Sequence, residues 1–211
     1  YAFNCLEDGF KTENSARNIF RNITNSLDKN GLFVTITKDS INILKQITGK
    51  SGEFGNDLYK IIYNSLNVSD NFGIRYKITS DKSHTEYLVK NEVFKTLASE
   101  YDLREVYTIT LDEFYTTTKS IPLFVDLYSS VKITPELMEI LSLLRISLFV
   151  HTRKLEITGL LPNSTVKETK LTKTKKTTMT GGGNIVITAN KINDMMRDIF
   201  LFLFCSKISF C

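Results

Sequence analysis

From Glu13 to Leu27 the apolar positions Ala16, Ile19, Phe20, Ile23 and Leu27 recur at spacings of three and four, which predicts one face of an amphipathic helix. Asp28, Lys29, Asn30 and Gly31 then predict its stop, because glycine and asparagine tolerate the left-handed turn that ends helices. The run Leu32 to Thr37 (LFVTIT) reads as a short buried strand, and a second helix is expected over Ser40 to Ile47. Leu58 to Tyr63 and Phe72 to Ile78 read as two strands joined by a polar loop, the second alternating apolar and polar. A stripe of Leu88, Phe94, Leu97 and Ala98 predicts a helix within Tyr87 to Tyr101. Leu103 to Ile109 reads as a strand, and Leu141 to Val150 as the last one. Helix, glycine stop and buried strand in succession are the signature of an α/β layer.

Composition narrows the class. With 211 residues, 42% hydrophobic and 24% charged, and only three prolines, the chain has enough apolar surface for a core. It is not disordered, collagenous or a disulfide framework. Cys5, Cys205 and Cys211 are scattered and only two histidines are present, so no metal site is expected and a reducing compartment is. The longest apolar run, Ile199 to Cys205, falls far short of the roughly 20 residues of a membrane span, so no membrane partner is expected. Nothing at the start reads as a signal peptide, and Tyr1 to Phe3 looks like the end of an element already under way, as in a fragment. The net charge of +4 is mild but uneven: five lysines and one glutamate lie between Lys167 and Lys176, ahead of Gly181, Gly182 and Gly183. The division expected is a globular part over residues 1–156 and a basic linker and tail over 157–211, in which Met195 to Phe204 reads either as a short helix or as a segment that buries on a partner.

The sequence holds no nucleophile elbow, phosphate-cradling lysine loop or glycine-rich dinucleotide fingerprint. His84 reads as a residue of a polar loop and His151 as one at a strand end, each without a carboxylate at a suitable spacing. Chemistry read from residue types alone names no reaction.

The order of local blocks says more. Ala16, Arg17, Arg21 and Asn22 form an A-R-x-x-x-x-R-N helix; Phe54, Gly55 and Asn56 form an F-G-N block; Phe72, Gly73 and Tyr76 an F-G-x-x-Y strand. Glu86, Tyr87, Leu88 and Val89 give an E-Y-L-V block, and Glu113, Phe114 and Tyr115 an E-F-Y block. Five blocks in this order over roughly residues 1 to 150 closely resemble the second half of the messenger RNA cap guanine-N7 methyltransferases.

The resemblance implies an α/β fold of the class I methyltransferase (Rossmann-like) type, its C-terminal half, with an inserted antiparallel strand pair. It implies S-adenosylmethionine as methyl donor, with the glycine-rich cofactor loop and acidic ribose ligand expected upstream of Tyr1. Capped RNA is the implied partner, along with other capping-enzyme domains or subunits. Glu86 takes the place of the glutamate that accepts hydrogen bonds from the cap guanine; read without the family, it is a glutamate favoured at a helix N-terminus. The family's Q-F-x-x-H-Y stretch best matches Tyr1 to Cys5, with Asn4 in place of its histidine and Cys5 in place of its tyrosine; an alternative register puts Glu7 and Asp8 there. Lys38 replaces the proline of T-T-P-N-S, and Leu144 replaces the last tyrosine of W-E-x-x-S-x-Y, which spans Met138 to Leu144. The positions carried over are therefore Glu86, Asn4, Leu144 and Lys38 on the cap side and Tyr1 and Cys5 on the cofactor side, with no catalytic acid or base. The substitutions keep a second reading open, a catalytically silent module that binds capped RNA or stimulates a partner. Abundant lysine, asparagine, isoleucine and phenylalanine suggest an AT-rich genome, either of a large DNA virus or of a protist. The expected location is the nucleus, or the cytoplasmic viral factory or virion of a virus.

Overall fold

The computed structural model describes residues 2–3, 5–48, 52–64, 67–80, 82–129 and 132–152. Tyr1, Asn4 and the basic tail with its glycines and its Met195 to Phe204 segment lie outside the described residues. Strand β1 (Ala2–Phe3) leads through a short 3-10 turn (Glu7–Lys11) into helix α1 (Glu13–Ser26). The Thr12 side chain caps α1 by accepting from the Ser15 amide at 3.2 Å, and Ala16, Phe20 and Thr24 are its buried residues. In the turn after α1 the residue with positive φ is Asn30, at 63°, beside Gly31.

Next come β2 (Leu32–Lys38) and α2 (Ser40–Ile47), both where the pattern places them. The two strands expected between residues 58 and 78 form as β4 (Lys60–Ile62) and β5 (Arg75–Thr79), an antiparallel pair. They are flanked by β3 (Glu53–Gly55) and β6 (Ser83–Tyr87), giving a four-stranded antiparallel sheet in the order β3-β4-β5-β6. The expected helix over 87–101 begins only at Asn91 (α3, Asn91–Glu100), because Ser83–Tyr87 is strand.

After β7 (Leu103–Thr110) three helices follow: α4 (Leu111–Thr118), α5 (Pro122–Ser129) and α6 (Pro135–Ser142). The last strand, β8 (Leu144–His151), starts later than expected because Leu141 and Ser142 still belong to α6. The first sheet runs β1-β2-β8-β7, with β1 parallel to β2 and the other pairs antiparallel.

Alternation along β2 and β8 divides the core into two faces. Phe33 and Phe149 join Phe10, Phe20 and Phe94 in one cluster, under α1 and α3. Val34, Ile36, Leu144, Ile146 and Leu148 join Ile61, Tyr76 and Ile78 of the second sheet in the other. Lys38 has the parity of Val34 and Ile36, so it stands on the face turned toward the second sheet.

Candidate functional site

The edge of that inter-sheet core is where charge collects. Tyr76 and Glu86 are directly opposed in the β5–β6 register, and His84 lies two residues before Glu86 on the same face. The end of β2 delivers Lys38 to this group, and the 3-10 turn delivers Glu7. Lys38 Nζ donates to Glu86 Oε1 at 2.8 Å, His84 Nε2 lies 2.8 Å from the same oxygen, and the Tyr76 hydroxyl donates to Glu86 Oε2 at 2.8 Å. Glu7 Oε1 stands 3.6 Å from Lys38 Nζ. Glu7, Lys38, Tyr76 and Glu86 are all buried.

Burial works against the Glu86 carboxylate, yet the Lys38 charge, together with hydrogen bonds from Lys38, His84 and Tyr76, outweighs it and lowers its pKa. Tyr76 moves the other way: burial first, then the negative charges of Glu86 and Glu7, holds its hydroxyl protonated and donating. The result is an ionised, buried acceptor. Such a group suits a neutral partner with N–H donors.

Behind it a second network fixes the chain that carries Lys38. Asp39 Oδ1 accepts from the Asn42 amide at 2.8 Å and so caps α2, while its Oδ2 accepts from Asn91 Nδ2 at 3.1 Å and from Arg145 Nε. Ser40 donates to Asn91 Oδ1 at 3.0 Å and accepts from the Asn91 amide at 3.0 Å. The residue after Lys38 therefore ties β2 and α2 to the start of α3 and to β8.

Of the expected site residues, the structure brings Lys38 and Glu86 into direct contact. Leu144 is opposite Lys38 across the β2–β8 ladder and is buried in the core. Cys5 is exposed, while Tyr1 and Asn4 lie outside the described residues. Two expectations are corrected. Glu86 is a strand residue and not the start of a helix, which begins at Asn91. His84 is also on that strand and not in a loop, and it does have a carboxylate partner, Glu86, at a spacing of two that only a strand brings to one face. Tyr76 and Glu7 were legible as members of a strand block and of an alternative register; that they meet Glu86 and Lys38 is tertiary information.

Other block residues turn out to be structural. Asn56 Nδ2 donates to Glu139 Oε2 at 3.0 Å and the Tyr59 hydroxyl donates to Glu139 Oε1 at 2.8 Å, tying the F-G-N block to α6. Arg17 of the α1 block bridges Glu13 at 2.8 Å and Glu100 at 2.5 Å, joining α1 to α3.

The family model of the mRNA (guanine-N(7))-methyltransferase domain matches residues 2–182. The chain belongs to that family. The "mRNA cap guanine-N(7) methyltransferase 1" of Oryza sativa subsp. japonica is 33% identical over 118 residues, which cover 52% of this chain and 32% of that protein. The protein of the same description from Arabidopsis thaliana is 32% identical over 125 residues, covering 55% of this chain and 34% of its own length. The matched stretch thus spans about a third of these relatives. Among solved structures, an S-adenosylmethionine-dependent methyltransferase from Clostridium acetobutylicum overlaps 67% of this chain and 53% of its own, at 12% identity and a TM-score of 0.39. Among the described residues no helix is long and apolar enough to cross a membrane.

Proposed function

We propose that the chain takes part in guanine-N7 methylation of the messenger RNA cap, with Glu86 as the acceptor for the guanine's Watson–Crick edge. The observation that supports this most is a carboxylate kept ionised while buried, at the junction of two sheets, by Lys38, Tyr76 and His84. The reaction moves a methyl group from a sulfonium sulfur to guanine N7, which bears a lone pair and no proton at neutral pH. Such a nucleophile needs no general base, so the protein contributes orientation and electrostatic complementarity.

S-adenosylmethionine is the donor this family membership supports. In this reading the described residues supply the guanine side of the reaction. There, Glu86 fixes the base through its N–H edge and leaves N7, on the opposite ring, facing away from the carboxylate. Capped RNA is the substrate proposed, and a nuclear setting agrees with the plant relatives. The second reading, a silent cap-binding module, is favoured by one feature: Lys38, where the family pattern has proline, already occupies Glu86.

Equilibrium titration with the cap analogue GpppG tests the site. Glu86→Gln should weaken binding by about 1.5–3 kcal/mol, the scale for hydrogen bonds to a charged group, because the amide turns donors toward the guanine's own. Unchanged affinity would remove Glu86 from the cap site.

A further inference from the structure

Glu86 as it stands is short of acceptor capacity. Guanine presents two neighbouring donors on its Watson–Crick edge, N1–H and the 2-amino group, whereas an ionised carboxylate offers about four lone-pair sites. Three of those sites are taken, by Lys38 and His84 at Oε1 and by Tyr76 at Oε2. One is left.

A second acceptor stands in the same cluster. Glu7 is 3% exposed, and its Oε2 accepts from the Leu6 amide at 3.0 Å. Its Oε1 is buried with no hydrogen-bond donor, only the ammonium of Lys38 at ion-pair distance, 3.6 Å away. Buried polar atoms that accept nothing are few in native proteins and carry a desolvation cost that an incoming N–H would relieve. Composition points the same way: two carboxylates, Glu7 and Glu86, face one lysine, an excess of acceptors suited to a ligand edge made of donors. His84 is the member of the cluster that reaches solvent, its side chain 29% exposed against 8% or less for Glu86, Glu7 and Lys38.

We infer that Glu7 is a specificity-determining residue of this site, accepting the guanine 2-amino group while Glu86 accepts N1–H. The inference rests on the cap-guanine reading of Glu86 and adds to it a second carboxylate, delivered by the 3-10 turn that follows β1.

Inosine triphosphate keeps N1–H and lacks the 2-amino group, which separates the two roles. The 211-residue chain should bind guanosine triphosphate about tenfold more tightly than inosine triphosphate. Glu7→Gln should erase that preference by weakening only the guanosine nucleotide, and Glu86→Gln should weaken both. Glu7→Asp, which keeps the charge beside Lys38 but withdraws the oxygen by one methylene, should also lose the preference, so the test does not hang on one variant folding. Equal affinity of the unmutated chain for the two nucleotides overturns the inference without any variant, as do equal losses for both in the Glu7 variants. If Glu86→Gln changes neither nucleotide, the reading of Glu86 itself has failed; if it weakens both while Glu7 variants keep the preference, only the role of Glu7 has.

Discussion

Lys38 is the residue on which the cluster balances. Its side chain is 1% exposed and its ammonium holds Glu86 at 2.8 Å and Glu7 at 3.6 Å, so removing it leaves two carboxylates buried without the lysine charge. Breaking a buried pair from one side costs about 3–5 kcal/mol, far more than the pair itself contributes relative to an apolar filling. Lys38→Met is therefore expected to destabilise the fold on that scale in urea titrations; a loss under about 1 kcal/mol would mean that the cluster is more solvated than it looks. The pH dependence has a definite sign. The folded pKa of Glu86 lies below its unfolded value, so the stability it contributes is present above about pH 4.3 and is lost as pH falls through the lower, folded value. Melting temperatures measured from pH 6 down to pH 2 should drop more steeply for the unmutated chain than for Glu86→Gln, in which that titration is gone.

At the scale of elements, what carries Lys38 to the cluster is the join between β2 and α2. Asp39 caps α2 with one oxygen and holds Arg145 and Asn91 with the other. Loss of an N-cap alone costs about 1 kcal/mol. Asp39→Ala should cost clearly more, because Arg145 loses its carboxylate too, and Asp39→Asn should fall between, keeping the cap acceptor but not the charge. Chemical denaturation of both variants checks the order; equal losses would show that Arg145 gains nothing from Asp39. Gly55 is the other local device: its φ is +148°, and a Cβ there would run into the Tyr59 carbonyl oxygen at the β3–β4 turn. Gly55→Ala should destabilise by at least about 1 kcal/mol and loosen the turn that sets Asn56 against Glu139. The longer elements were legible from periodicity, α1 and β2 most clearly, since a stripe of five apolar residues or a run of six β-formers leaves little choice. The helices α4 and α5 were not: α4 ends in three threonines and α5 is a mixed run of leucine, phenylalanine and valine, residues that read as readily as strand, and α6 runs straight into the apolar stretch of β8. Strand β6 (SHTEY) was missed because its polar alternation looks like loop, and its partner β5, not its own sequence, makes it a strand.

For the molecule as a whole, the buried charged cluster sits where two sheets share one core. Ile36 and Ile146 from the first sheet and Ile61 and Ile78 from the second close one cluster, and the polar group of Lys38, Glu86, Tyr76 and Glu7 forms at its margin. Family blocks in the sequence located Glu86 and Lys38 separately, one on each sheet; only folding shows that they touch and that Glu7 joins them. The central claim is that this buried, ionised carboxylate reads a guanine edge. Adenine inverts that edge, placing a ring-nitrogen acceptor where guanine has N1–H, so a carboxylate facing it is repelled instead of bonded. The most direct measurement is calorimetric titration of the 211-residue chain with guanosine and adenosine triphosphates, whose phosphates are identical. The account predicts that the guanosine nucleotide binds at least about tenfold more tightly and that Glu86→Gln reduces the difference to what the 2-amino group alone supplies. Equal binding of the two nucleotides by the unmutated chain would contradict it.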